Sequence, residues 1–325
     1  ESSFAVVEFN DEYNSNDYTI DMYLMDGETV LHEEHSLVAF DNKVVFNYDM
    51  SLLTQKKHAY TLKAVISDDT GAVVQTLTEE IYVYDRPLNL NENGEYINED
   101  GSIFHPVMAF WMPWPWEDVE LAASAGVNCV LWTFAPTIEE SIEQLDYLYS
   151  LGVKANVVCF WDMQPPAHPS NYERVASAVE AIKDHPAVYC WNIADEPFST
   201  ASATYDMTVR DIMIASYKMI RDIDDKHPVT YVEDHPELYG LADHYADIII
   251  IDPYPGSENY AVYTGDRTAQ ACEAIGYSRP VINLLQGITF KWIRPYDYEL
   301  HSMIYQSFLA GAQSIGYYGF GESGN

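Results

Sequence analysis

The sequence predicts an α/β TIM barrel, that is a (β/α)₈ barrel, preceded by a small all-β immunoglobulin-like or fibronectin-like sandwich. Three observations predict it. From residue 104 onward, short apolar runs alternate with helix-patterned stretches until eight strands have been counted. One of those runs, Ile248-Ile249-Ile250-Ile251, is apolar at every position, as a strand covered on both faces of a parallel sheet must be. Before residue 86 the runs are instead β-branched and aromatic, partly alternating, and separated by Asp, Gly and Asn clusters.

The all-β segment covers residues 1–85. Its strand-like runs lie at 18–24, 43–48, 58–66 and 72–84, with Asp26-Gly27, Asp41-Asn42 and Asp68-Asp69-Thr70-Gly71 as turn chemistry. His32-Glu33-Glu34-His35 lacks the spacing of an HExxH zinc motif and reads as a solvated strand or turn. Residues 86–103, rich in Asn, Gly, Asp and Glu, read as a connector.

The barrel reading occupies 104–325. Strand one is 105–111, followed by a helix at 116–126, and strand two is 127–134. The helix at 137–152 places Ile138, Ile142, Leu145, Leu148 and Leu151 near one face and closes at Gly152. Strand three is 153–161, with a helix at 171–185; strand four is 187–194, with a helix at 205–224. Strands five, six and seven are 229–233, 246–252 and 281–285. A helix at 298–312 leads to strand eight at 314–320. A doubly wound sheet ranks second, because no GxGxxG follows any strand. The sequence starts at Glu1 without a signal peptide and stops at Asn325 before an eighth helix, so further domains of a larger chain are expected.

Composition narrows the partners. The chain has 325 residues and a formal net charge of −35. Such a surface repels phosphate backbones and anionic headgroups, so no nucleic-acid partner is expected, and no apolar run is long enough for a membrane span. An uncharged glycan meets no such penalty. Tyr is frequent, at 26, with 7 Trp; rings of this kind fill cores and also stack on the C–H faces of sugars. Cys129, Cys159, Cys190 and Cys272 form no CxxC pattern, so no metal and no cofactor is expected.

Active sites of such barrels lie at the carboxyl ends of the strands. Here those ends gather aromatics and carboxylates: Trp111 after strand one, Trp132 in strand two, Trp161-Asp162 after strand three, Asn192 and Asp195-Glu196 at strand four. The later strands end at His235, Asp252 with Tyr254, Gln286 and Glu322. Stacking platforms plus two carboxyls are what cleavage of a glycosidic bond requires: one carboxyl protonates the leaving oxygen, and the other attacks or activates water.

Trp191-Asn192-Ile193-Ala194-Asp195-Glu196-Pro197 resembles the strand-four motif of the clan A glycoside hydrolases. Gly101-Ser102-Ile103-Phe104-His105-Pro106-Val107 is similar to the segment that enters strand one in that group. The resemblance covers about residues 96–325 and implies a carbohydrate substrate, a secreted or cell-surface location, and Glu196 as general acid/base with Asp195 beside it. The clan carries a nucleophilic Glu at the end of strand seven, where this chain has Gln286. An amide cannot form the glycosyl ester of a retaining mechanism. Three alternatives stay open: another carboxylate serves, with Glu322 ahead of Asp252 and Asp162; the substrate supplies its own nucleophile; or the barrel binds glycan without cleaving it. Trp111, Trp132, Trp161, Asp162, Asn192, Asp195, His235, Asp252, Tyr254 and Gln286 are the expected substrate contacts.

Overall fold

The computed structural model describes residues 2–9, 15–40, 42–110, 116–159, 169–198, 207–255, 260–276, 279–287 and 295–319. The chain divides into two compact units, Glu1–Asp85 and Arg86–Asn325.

In the first unit, β1 (Ser2–Glu8) pairs antiparallel with β4 (Lys43–Asp49). A second antiparallel sheet has the order β3-β2-β5-β6, built from β2 (Tyr18–Asp26), β3 (Thr29–Leu37), β5 (His58–Asp68) and β6 (Val73–Val83). Strand β4 alternates strictly, with Val44, Phe46 and Tyr48 buried and their neighbours exposed. Those three side chains share one core with Ile20, Met22 and Leu24 of β2 and with Tyr60, Ala64 and Ile66 of β5. Two sheets thus bury one face each against the other, the arrangement of a sandwich. The His32–His35 stretch lies within β3, where His32 stacks on Phe46 at 5.3 Å.

The second unit is a closed barrel of eight parallel strands: β9 (Val107–Phe110), β10 (Cys129–Thr133), β11 (Lys154–Val158), β12 (Val188–Asp195), β13 (Val229–Glu233), β14 (Ile248–Ile251), β15 (Val281–Gln286) and β16 (Ser314–Tyr318). Strand β16 pairs with both β15 and β9, which closes the ring. The connecting helices are α1 (Trp116–Ser124), α2 (Ile138–Ser150), α3 (Pro169–Ile182), α4 (Met207–Ile223), α5 (Tyr260–Ala274) and α6 (Asp297–Leu309). A 3₁₀ segment, Pro236–His244, takes the place of a helix between β13 and β14.

Strand parity organises the whole unit. Residues such as Cys129, Cys190, Val232, Ile248, Ile250, Ile282 and Leu284 fill the barrel interior. Their sequence neighbours Val130, Trp191, Tyr231, Ile249 and Val281 face the helices and pack with Leu145, Val179, Met213 and Ala271. Helix α2 begins at a reciprocal cap: Thr137 accepts from the Glu140 amide, and the Glu140 carboxylate accepts from the Thr137 amide. Helix α5 escapes the apolar-period reading because its buried face carries Thr264, Thr268, Ala271 and Cys272 rather than large aliphatics. Thr268 of α5 and Ser307 of α6 accept hydrogen bonds from the Asn283 amide, at 2.7 and 2.9 Å.

Residues 86–103 are more than a connector. They belong to the barrel unit and form a hairpin, β7 (Tyr96–Ile97) with β8 (Ile103–Phe104). Tyr96 is buried against Tyr189 at 4.9 Å and donates its hydroxyl to the Val188 carbonyl, at the amino end of β12. Lys154 lies over the Tyr96 and Phe104 rings at 5.5 and 5.6 Å. The hairpin therefore plugs the end of the barrel opposite the carboxyl rim. Among the described residues, no helix is long and apolar enough to cross a membrane.

Candidate active site

The rim is built by extending the parity of each strand one step past its last interior residue. Val232 faces inward, so Asp234 does; Ile250 does, so Asp252 does; Leu284 does, so Gln286 does. Tyr318 closes β16 on the same side and packs against the interior cluster. Strand β12 departs from this rule. Asn192 pairs with Thr230 but Asp195 pairs with Val232, so β12 carries one extra residue there, a bulge that re-aims its end. Glu196 follows at φ 42°, a left-handed backbone that is rare for a non-glycine residue and costs about 1–3 kcal/mol. Its amide donates to the Val232 carbonyl at 3.0 Å, which holds the strained residue in register.

Four carboxyls from three adjacent strand ends thus share one wall: Asp195 ending β12 with Glu196 just after it, Asp234 after β13 and Asp252 after β14. Burial, then the charges of Glu196 and Asp234, push the Asp195 carboxyl up to about 7. Asp252 is only 5% exposed. Burial, a side-chain hydrogen bond with Glu196 and the charges of Glu196, Asp234 and Asp195 drive it well above the usual carboxylate range. Burial and the Glu196 charge raise Asp234 as well. Glu233, one residue earlier, has outward parity and is wholly buried; burial takes it up to about 7. His235 pairs through Nδ1 with Asp234 Oδ1 at 2.6 Å and lies 3.4 Å from Glu233 Oε1. Burial opposes its protonation, but the two carboxylates outweigh that and raise it.

Glu233, Asp234 and His235 each offer an atom within 4.8 Å of the others, close enough for a cation. The ion pairing of His235 with both carboxylates accounts for that grouping without one. Next to this wall, beyond β14 and at the end of β16, the Tyr254 and Tyr318 rings are tilted together at 5.5 Å. Gln286 lies between them in strand order and is wholly buried. A Cβ on Gly287 would meet the Tyr318 carbonyl at 2.5 Å, so only glycine permits the ends of β15 and β16 to approach this closely.

The rim therefore brings together Glu196, Asp195, His235, Asp252, Tyr254 and Gln286 of the residues expected from sequence. Asn192 faces the interior one layer lower, wholly buried beside Thr230. Trp132 requires a correction as a sugar platform. It is wholly buried on the helix side of β10, donates to Gln144 of α2 at 3.0 Å and packs edge-on to Phe134. Trp111, Trp161, Asp162 and Glu322 lie outside the described residues. Sequence reasoning missed Tyr318 as a rim residue and did not single out Asp234 at the end of strand five, although the alternation of their strands points to both.

Residues 138–283 match the model of the glycosyl hydrolase family 2 TIM-barrel domain. No curated protein matches the chain in sequence. Among solved structures, the fold resembles a beta-glucuronidase from an uncultured Clostridium sp., with a TM-score of 0.51, 16% identity and coverage of 98% of this chain and 61% of that one. It also resembles a GH2 beta-galacturonidase from Eisenbergiella tayi, with a TM-score of 0.51, 13% identity and coverage of 94% and 60%. The exo-beta-1,4-mannosidase Op5Man5 from Opitutaceae bacterium strain TAV5 gives a TM-score of 0.54, 16% identity and coverage of 70% and 54%. This chain thus spans about 61%, 60% and 54% of those three lengths. At these identities the likeness is one of fold, and together with the family 2 match it supports a glycoside hydrolase.

The acidic wall of this family 2-like barrel has a consequence for stability. Asp195, Glu233, Asp234 and Asp252 all hold their protons to higher pH in the folded chain than in the unfolded one. The folded state is favoured at and below the ordinary carboxylate range of about 4 and loses that advantage as pH rises toward the folded values. Thermal unfolding should therefore occur at a lower temperature near pH 8 than near pH 5, both about. The global charge of −35 pushes the same way, so Asp195→Asn is the informative control. It should flatten the difference, and a melting temperature that climbs across this interval would contradict the account.

Proposed function

We propose that the barrel hydrolyses a glycosidic bond in an uncharged glycan, with Glu196 as the general acid/base and Asp195 orienting it. One observation carries the reading: a half-buried Glu at the carboxyl end of the fourth barrel strand, held at φ 42° beyond a bulge, amid carboxyls that favour protonation. Tyr254 and Tyr318 offer ring faces to a sugar.

The substrate is taken as uncharged because the wall that holds Glu196 also holds Asp195, Asp234 and Asp252, against which a uronate would lie at an electrostatic cost. Two of the similar folds belong to proteins named for glucuronic and galacturonic acid sugars and the third to one named for mannose, so fold does not choose among them. Glu322 is the second carboxylate of this proposal, from its place just past strand eight. Gln286 would then hold a sugar hydroxyl, since its amide both donates and accepts.

A second reading, a glycan-binding barrel without catalysis, draws on one observation: a wholly buried amide, Gln286, closes strand seven. Two variants separate the readings. Glu322→Ala should abolish turnover and leave glycan binding, measured calorimetrically, unchanged. If instead the chain is inert and Gln286→Glu creates activity, the binding reading holds and Glu322 loses its role.

A further inference from the structure

We propose that His235 is a specificity-determining residue, held as an imidazolium by a clamp of Glu233 and Asp234, whose Nε2–H anchors a hydroxyl oxygen of the glycan. The inference rests on the preceding reading, in which a glycan lies along the wall that carries Glu196.

The clamp starts from the backbone. The His235 amide donates to Glu233 Oε1 at 3.0 Å, and the His235 carbonyl accepts from the Leu238 amide at 3.0 Å. Pro236 follows and confines His235 to extended backbone. The ring is pinned as well. Its Nδ1 lies 2.6 Å from Asp234 Oδ1 and 3.4 Å from Glu233 Oε1. Asp234 has the inward parity of β13 and Glu233 the outward one. A ring that touches both therefore lies across the end of the strand rather than to either side of it. Nδ1 is buried there, while the His235 side chain as a whole is 24% exposed. The open part of the ring is the part that carries Nε2.

Chemistry then sets the protons. Carboxylates only accept, so a lone pair on Nδ1 would be repelled by both of them, and Nδ1 carries hydrogen. A second proton, on Nε2, makes the ring a cation. Burial opposes that charge, but Asp234 and Glu233 outweigh it. The groups behind the clamp agree. Glu196 and Asp195 act on Asp234 from the end of β12, Asp252 does so from the end of β14, and Tyr239 of the 3₁₀ segment faces Glu233. None of these is a cation. Arg267 of α5, which acts on Tyr239, lies over the Tyr263 ring at 5.1 Å. His235 thus presents a fixed donor on a wall of carboxyls. A sugar hydroxyl can accept from Nε2 and donate to a neighbouring carboxylate at once, whereas a deoxy sugar can do neither. Glu233 is a positioning residue in this scheme, acting only through His235.

The test uses His235→Ala, His235→Gln and Glu233→Gln, each checked for native circular dichroism. Calorimetric titration with uncharged β-linked gluco-, galacto- and manno-oligosaccharides reads affinity whether or not a bond is cleaved. At least one should bind wild type. His235→Ala should weaken it by about 10–100-fold, the usual worth of a hydrogen bond to a charged group, and the amide of His235→Gln should recover part of that loss. Where turnover is measurable, the loss should fall on KM with kcat nearly held. No binding by wild type, binding indifferent to His235→Ala, or a loss confined to kcat overturns the proposal. Nitrogen NMR of isotope-labelled protein tests the clamp by itself. At about pH 7 the wild-type ring, assigned by its disappearance in His235→Gln, should carry hydrogen on both nitrogens, and Glu233→Gln should move it toward the neutral ring. A lone pair on either nitrogen in wild type, or a ring unmoved by Glu233→Gln, overturns the clamp. If oligosaccharide binding depends on His235 while none is cleaved, the inference stands and the hydrolase reading fails.

Discussion

Glu196→Gln should lower hydrolysis of glycosides with poor leaving groups by about 10²–10⁴-fold, the usual contribution of a positioned general acid. The amide is nearly isosteric and still hydrogen-bonds, so the strained turn at φ 42° and its bond to the Val232 carbonyl should survive. What is lost is the proton. Aryl glycosides whose leaving group needs no protonation should therefore lose far less, and the dependence of rate on leaving-group pKa should steepen. Initial rates across such an aryl series, wild type against variant, measure this. A uniform loss across the series would point to disrupted binding instead, and unchanged rates would remove Glu196 from the chemistry.

Asp224→Ala should have the largest effect on folding, about 3–5 kcal/mol, as when one partner of a buried ionic network is deleted. Asp224 stands just after α4 and is 2% exposed. Its Oδ2 accepts from the Trp191 indole of β12 at 2.8 Å and lies 2.8 Å from His227 Nδ1. Its Oδ1 accepts from the backbone amides of Lys226 and His227 at 2.8 and 3.2 Å. Burial raises the carboxyl, but the bonds to His227, Lys226 and Trp191 outweigh it and leave Asp224 below the ordinary range. Its contribution is thus present above the unfolded pKa and lost only as pH falls through the folded value. Removing it leaves a buried imidazole and indole N–H unsatisfied at the base of the strand that presents Glu196. The melting temperature should drop on the order of 10 °C at neutral pH, and by less in strong acid. A calorimetric shift within a degree or two of wild type, about, would show the network to be dispensable.

What the sequence revealed, and what it hid, divides along strand parity. The all-apolar Ile248–Ile251 run and the amphipathic helix from Ile138 gave the barrel, because covering both faces of a parallel sheet leaves no room for polar alternation. Asp195-Glu196-Pro197 marked the proposed acid by motif alone. Parity was the signal left unused. Applied from Cys129 inward, it sends Trp132 to the helices; applied from Val232 and Gly316, it sends Asp234 and Tyr318 to the rim. The β12 bulge had no such signal, since the extra residue shows only in its pairing with β13. Helix α5 stayed hidden behind buried threonines, and the β7–β8 plug behind a polar composition that reads as linker. In the sequence His227 is marked only by its place before Pro228, and its contact with Asp224 shows it as part of a buried network.

The central claim is that this barrel cleaves an uncharged glycan, and product release by the wild-type chain tests it most directly. Uncharged β-linked oligosaccharides and matching uronides, incubated with wild type and with Glu196→Gln and resolved by chromatography, give the comparison. The account predicts new reducing ends from at least one uncharged glycan with wild type, none from the uronides, and almost none with Glu196→Gln. Binding of the same glycans without any release, or release confined to uronides, would contradict it.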